Sequence, residues 1–436
     1  MKKDLYNLSI YLFTRDLRLY DNTGLIQALK KSINVLPIFI FNPKQLDNNP
    51  YKSDNCVKFM CECLDNLNQQ LKKKKSRLFY FYGEPIDILS KLVKTYNVNC
   101  IFFNKDYSPF AIKREHDISK ICAVETFHDY LLTNDTVVKP DGHIYVKFTP
   151  FYNKAKKIKV ALPAKNGYSN YISNKHHFNH EYTNDIHKFY TVNKNYQPYI
   201  NGTKVILKNI PNYIKIHNSP SIDTTHLSAF LKFGVVSIRH AWHTFNKDLQ
   251  RQLYWRDFYM LIMLHNPHVI GHNMKLNFNP HWKTHSKFLK NWKNGTTGFP
   301  LVDAGMRQLN TTGWMHNRVR MVVADFLVKL LHIDWRIGEK YFATHLIDYD
   351  IALNNGNWQW QAGSGVDSQP YFRIFNPWRQ SERFDKDCLY IKKWIPELLN
   401  VPPKDIHIWY DTHKNYNVYK APVIDYVKEK SIALKY

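Results

Sequence analysis

The residues best suited to chemistry in this chain gather between Trp314 and Pro377. GWMHNRVRM runs from Gly313 to Met321, and DYDIALNNGNWQWQAGSGVDSQPYFRIFNP runs from Asp348 to Pro377. Trp, Asn, Arg and Asp crowd an aromatic, mostly uncharged window there. Polar groups at that density are expensive to bury unless something satisfies them, and a large, flat ligand with a polar edge would do so. On a helix, Asn317, Arg320 and Met321 share a face while Arg318 points elsewhere, so Arg320 is placed to pair with an interior carboxylate. Asp350 and Asn354 are four apart and face one way, presenting a carboxylate and an amide. Upstream, Thr224-Thr225-His226-Leu227-Ser228 precedes a helix. Hydroxyls at a helix start either cap the free N–H groups or help to hold a phosphate there. Trp282, Trp335 and Trp358 are oxidisable rings suited to one-electron hopping, although each taken singly is more often a core residue.

These residues need a scaffold, and bulk properties bound it. A chain of 436 residues exceeds one hydrophobic core and predicts two domains. With 44% hydrophobic and 15% aromatic residues it is not a disordered chain. The net charge of +25, from 61 basic and 36 acidic residues, predicts a polyanionic partner, nucleic acid ahead of a membrane surface. No apolar run approaches the ~18 residues of a membrane span. MKKDLYNLSIYLFT reads as a first strand, not a signal peptide. Six cysteines, at 56, 61, 63, 100, 122 and 388, form no CxxC and no ligand spacing with His. Free thiols in a reducing, intracellular compartment, cytoplasm or nucleus, are expected, with no secretion and no metal site.

Apolar runs at Ile10–Phe13, Val35–Phe41, Arg77–Tyr82, Cys100–Phe103 and Val124–Phe127 alternate with helical stretches at Thr23–Lys31, Asp54–Lys74, Pro85–Tyr96 and Pro109–Ile121. This alternation predicts an α/β domain over 1–130 with a doubly wound, Rossmann-like parallel sheet. No GxGxxG follows the first strand, so a dinucleotide held in that usual way is not expected here. Periodicity fades over 131–215, which reads as a connector draped over the surface. From 216 to 436 the three- and four-residue spacing of apolar residues predicts an all-helical domain.

The motifs together resemble the photolyase/cryptochrome family, and within it the class I cyclobutane pyrimidine dimer photolyases. FTRDLRLYDNTGL (Phe13 to Leu25) resembles the family's opening motif, FTPF (Phe148 to Phe151) its connector motif, TTHLS its T-[ST]-x-L-S flavin-pyrophosphate motif, and NPWRQSERFD (Asn376 to Asp385) continues the likeness. The resemblance implies FAD held by Tyr213, Thr224, Thr225, His226, Leu227, Ser228, Arg320, Asp348, Tyr349, Asp350 and Asn354. Within that set Arg320 pairs with Asp348, and Asn354 lies beside flavin N5. His226 stands where some relatives carry Arg. Trp282, Trp335 and Trp358 match the electron-transfer triad that reduces the flavin in light. Gln252, Trp255, Arg256, Tyr259, Asn317, Arg318, Met321, Trp360 and Arg379 are then the expected DNA and lesion contacts, with Trp378 at the rim. Gln252, Asn317, Met321 and Asn354 lie closest to the reaction.

The implied function is light-dependent DNA repair: reduced FAD donates an electron to split a cyclobutane pyrimidine dimer flipped out of DNA. The implied enzyme is a monomer, with a second antenna chromophore, a folate or a deazaflavin, whose site is poorly marked. Two other readings share the flavin and the triad, a cryptochrome-type blue-light photoreceptor and a (6-4) photolyase. Asn317 and Met321 speak against (6-4) repair, because histidines occupy those positions in (6-4) enzymes. Gln252 departs from the class I pattern, which has Glu there, and matches (6-4) enzymes and animal cryptochromes.

Overall fold

The computed structural model describes residues 5–435 except Asn48, Asp135, Asn193, Tyr199, Thr203, Lys204, Ile206, residues 276–279, His281, Gln369 and Phe372. The first four residues of the expected first strand's lead-in fall outside the described ones. The chain forms two compact units, each assembled from separate stretches. The first comprises Met1–Val192, Ile200–Asn209 and His226–Pro267; the second comprises Asn193–Tyr199, Ile210–Thr225 and His268–Tyr436.

The first unit is built on five strands, β1 (Tyr6–Phe13), β2 (Ser32–Phe41), β3 (Phe79–Tyr82), β4 (Cys100–Asn104) and β5 (Ala123–Phe127), in the order β3-β2-β1-β4-β5. All neighbours are parallel. Helices Thr23–Lys31, Asp54–Lys72, Pro85–Tyr96 and Pro109–Ile118 make the crossovers. β4 is buried along its whole length, as expected of a strand covered on both faces.

Strand order reverses between β1 and β4, where open α/β sheets usually bind ligands. Here the carboxyl ends of those strands are filled by side chains. Asp16 accepts hydrogen bonds from the Tyr11 hydroxyl and, at 2.7 Å, from Asn104 Nδ2. Asp129 pairs with Arg18 and, at 2.7 Å, with Arg239. Burial alone would raise the Asp129 carboxyl, but the two guanidiniums hold it well below the usual carboxylate range. The opening motif is therefore spent on a buried network that also recruits Arg239, far along the chain. Gly234 permits the same approach: with φ +61, an added Cβ would lie 2.1 Å from the Arg15 carbonyl oxygen.

The boundaries expected at 130 and 215 differ from those of the compact units. FTPF is not a bare connector but starts a helix, Phe148–Ala155, whose Phe148 stacks on Trp255 with ring centroids 3.5 Å apart. Further on, Tyr171 bridges to Val35 and Glu181 to Phe81, so single bridges tie the connector to the sheet. The helix Lys247–His265 completes this unit. Its Asp257 is fully buried and accepts from Leu132 N at 2.8 Å and Thr133 N at 3.1 Å.

Burial raises the Asp257 carboxyl to about 6 from 3.8, with Arg256 and the Thr133 bonds opposing the rise. A carboxyl raised on folding binds its proton more tightly in the native state, so stability falls as pH climbs between the two values and the cost is complete above the folded one. Asp257→Asn should remove a slope on the order of 3 kcal/mol between about pH 4 and about pH 6. Melting temperatures of wild type and variant across that window check it; parallel curves would refute the assignment.

The second unit is helical. Helices Pro300–Thr312, Asn317–Asp325, Trp335–Ala343, Ile351–Ala362 and Pro377–Phe384 surround a core containing Trp292, Trp335, Trp358 and Trp409. Asn317–Asp325 runs on into a π turn, Phe326–Leu330. No helix among the described residues is long and apolar enough to cross a membrane.

Candidate functional site

The polar window of the second unit is organised by two capped helix starts. His316 caps Asn317–Asp325, accepting from Arg318 N, and so sets where the two arginines point. Arg320 makes a two-pronged pair with Asp348, at 2.9 and 3.3 Å, and its Nε donates to Met315 O at 2.8 Å. Arg318 turns the other way. Its Nε and one terminal nitrogen both donate to Asn218 Oδ1, at 3.0 and 2.7 Å, and its guanidinium lies 4.5 Å from the Phe384 ring centroid. The Arg318/Arg320 divergence is the one helical geometry predicts. Asn317 is exposed, while Met321, Tyr349 and Trp360 are half-buried.

Asp350 caps Ile351–Ala362, accepting from Ala352 N at 3.0 Å and Leu353 N at 3.2 Å. One turn on, Asn354 Nδ2 donates to Glu339 Oε1 at 2.8 Å and to Glu339 O at 3.0 Å. This fixes the amide's orientation and leaves its carbonyl oxygen with no partner among the described residues. Glu339 escaped the sequence reading. Its only signal was its place four residues after Trp335, on the same helical face. Asn218, the anchor of Arg318, gave no signal at all.

The three tryptophans belong to one core. Trp335 is fully buried and donates from Nε1 to Asn273 Oδ1 at 3.0 Å. Trp358 is buried and packs edge-on to Phe342 at 5.0 Å, while Trp282 lies partly buried against the same core. Gly338 makes room for Trp358: an added Cβ there would sit 2.2 Å from the indole.

Tyr213 opens a short helix, Tyr213–Ile216, and stacks on His217. Thr224 and Thr225 are half-buried, outside any helix. Ser228 begins the helix Ser228–Lys232, and no side chain caps it: the residue before the helix is Leu227, and His226 takes the left-handed φ of 48. The hydroxyl-capping expectation therefore fails, because an exposed Ser228 lies inside the helix instead of ahead of it.

In the first unit, Gln252 is exposed and Trp255 is half-buried with one ring face covered by Phe148. Two expected DNA contacts require correction. Arg256 is buried over the Tyr130 ring, 3.4 Å from its centroid, and donates to Tyr130 O, so its charge is used inside the unit. Tyr259 is also buried, its ring 5.9 Å from that of Trp255, which it supports from within. In the second unit Arg379 is exposed on Pro377–Phe384, whereas Trp378 is not at a rim: it is buried, stacked on Phe299 at 4.5 Å.

Two family models match the chain, DNA photolyase over residues 9–166 and the FAD binding domain of DNA photolyase over residues 249–436. A deoxyribodipyrimidine photo-lyase of Buchnera aphidicola is 34% identical, covering 98% of this chain and 97% of that protein. The chain belongs to the DNA photolyase family. A solved archaeal photolyase from Sulfolobus tokodaii, with two FAD molecules, superposes with a TM-score of 0.89 at 39% identity, over 98% of this chain and 99% of that one. The class III photolyase of Agrobacterium tumefaciens gives 0.87 at 28%, over 100% and 98%.

Membership in the photolyase family makes FAD the ligand to test against these residues, and their chemistry fits it. The unpartnered Asn354 carbonyl oxygen is an acceptor for a ring N–H. The Arg320–Asp348 pair supplies a fixed dipole in the same unit.

Proposed function

We propose that this chain is a light-dependent DNA repair enzyme, a deoxyribodipyrimidine photo-lyase acting on cyclobutane pyrimidine dimers. The observation that carries the reading is Asn354, an amide locked by Glu339 with its carbonyl oxygen left over, in a chain matched to the family along nearly its whole length. Bound and reduced, FAD would supply the light-excited electron for dimer cleavage. The chain's residues position and tune. Tyr213, Thr224, Thr225 and the His226–Ser228 turn hold the diphosphate end. Arg320, Asp348, Tyr349 and Asp350 fix the ring region. An amide at 354 bonds the ring without titrating, as a carboxylate there would. Trp282, Trp335 and Trp358 pass electrons inward.

In the second unit exposed Asn317 and Arg379, with half-buried Met321 and Trp360, are suited to contact the flipped lesion, and Arg318 its phosphates through a guanidinium steadied by Asn218; in the first unit exposed Gln252 and half-buried Trp255 are suited to the same task. A dimer stacks poorly, so flipping it costs less than flipping a normal base. The excess of basic residues finds the DNA backbone. The enzyme works as a monomer, and its six free thiols support a reducing compartment. A second, antenna chromophore belongs to the segment matched as DNA photolyase. Folate and deazaflavin are its expected classes, and the two FAD molecules of the Sulfolobus tokodaii relative add a flavin.

Blue light should restore oligonucleotides carrying a defined thymine dimer and leave (6-4) products intact. Gln252→Glu should quicken dimer repair by restoring an ionisable group beside the lesion. Repair of (6-4) products alone would overturn the lesion assignment, and protein that takes up no FAD would overturn the whole reading.

A further inference from the structure

Asp325 and Lys329 form a fully enclosed ion pair where the helix Asn317–Asp325 widens into its π turn. Their side chains are each 1% exposed and meet at 3.0 Å. π turns concentrate at functional sites, and isolated buried pairs seldom repay their desolvation. Among the described residues, the pair's hydrogen bonds to its surroundings go to Gln361, Arg373 and Phe375. Asp325 Oδ1 accepts from Phe375 N at 3.0 Å, and Oδ2 accepts from Gln361 Nε2 at 2.7 Å. Lys329 Nζ donates to Arg373 O at 2.8 Å. Tyr371 adds a bond from its hydroxyl to Val328 O, at 3.3 Å, on the same turn.

Gln361 follows Trp360, and the described residues between Gly363 and Asn376 lie in neither helix nor strand. Asn376 in turn caps Pro377–Phe384, accepting from Arg379 N at 3.3 Å. One buried pair thus holds Gln361, Arg373 and Phe375, which lie between an aromatic residue and a cation assigned to DNA, while Lys275 holds the Gly363–Ser368 end of the stretch.

We propose that Asp325 and Lys329 are positioning residues that fix the Trp360–Arg379 segment for lesion DNA, and so set affinity for damaged DNA without entering the flavin chemistry. The proposal rests on the repair function above. An apolar pair of similar volume retains the packing and loses only the directed bonds.

The test uses the full-length, FAD-loaded protein and the double variant Asp325→Leu/Lys329→Met, with Tyr371→Phe as the milder probe, which leaves the ion pair intact. Wild type is assayed first: failure to bind or repair dimer DNA would defeat the proposed function, not the positioning role. Given repair by wild type, the double variant should keep FAD content and photoreduction, show KM and Kd for dimer oligonucleotide raised about tenfold with kcat unchanged, and exchange the Phe375 amide faster. Tyr371→Phe should move KM the same way by a smaller factor. Unchanged KM in both variants overturns the proposal, as does a fall in kcat or FAD content at constant KM.

Discussion

Trp358→Phe should yield a folded protein whose bound FAD no longer gains electrons under blue light. The ring at 358 is buried, held edge-on by Phe342, and backed by a helix that comes close because residue 338 is glycine. Phenylalanine keeps an aromatic ring there but is far harder to oxidise, so the route closes at this position. Repair by chemically reduced enzyme should persist, since the route serves reduction of the cofactor and not dimer cleavage. Gly338→Ala attacks the same place sterically. Its Cβ would meet the Trp358 indole at 2.2 Å and Leu327 at 2.6 Å, an overpacking that costs about 1–3 kcal/mol. Photoreduction should slow as the indole shifts, with a lower Tm. Transient absorption and the rate of flavin bleaching read both variants. Wild-type photoreduction in Trp358→Phe would end the electron-route assignment.

Asp348→Ala should strip FAD from the purified protein and lower its melting temperature. Asp348 is buried, and its carboxylate takes both prongs of Arg320. Breaking a fully buried pair costs about 3–5 kcal/mol, but the Arg320 side chain is 25% exposed, so solvent screening reduces this to about 2 kcal/mol. The local consequence is larger, because the pair ties Asn317–Asp325 to the segment that leads into the Asp350 cap. Arg320→Lys retains the charge but loses the fork, and should show an intermediate loss. Flavin absorbance per mole of protein after gel filtration measures both. Full FAD occupancy in Asp348→Ala would show that the pair is structural only.

The sheet was legible because apolar, β-branched and aromatic runs alternate with helical stretches; β4 is buried along its whole length, whereas β5 (AVETF) is only half-buried and its run is broken by Glu125 and Thr126. β2 begins at Ser32, ahead of the apolar run at Val35, because its backbone pairs with β1 from Tyr6 onward, a ladder that needs no apolar side chain. The connector's membership of the first unit was not legible. It is secured by backbone bonds, such as Tyr182 N to Tyr80 O at 2.7 Å, which any residue type can make. In the site, the divergence of Arg318 from Arg320 followed from helical spacing. Arg256 and Tyr259 were misplaced because Lys247–His265 is buried on nearly every face beyond Trp255, where periodicity no longer separates inside from outside. Glu339 and Asn218 required the fold, since each acts on a residue remote in sequence.

The discontinuous make-up of the first unit has a consequence for synthesis on the ribosome. Its sheet can pair once β5 has emerged, but Asp257 and Arg239, which tie down the chain after β5, arrive more than a hundred residues later. At about 5–20 residues per second, the nascent sheet waits several seconds with the Tyr130–Thr133 strip uncovered. A stalled or truncated chain ending before residue 240 would present that strip to chaperones and proteases, so limited proteolysis of nascent fragments should cut next to it and spare it once residue 267 is free of the exit tunnel.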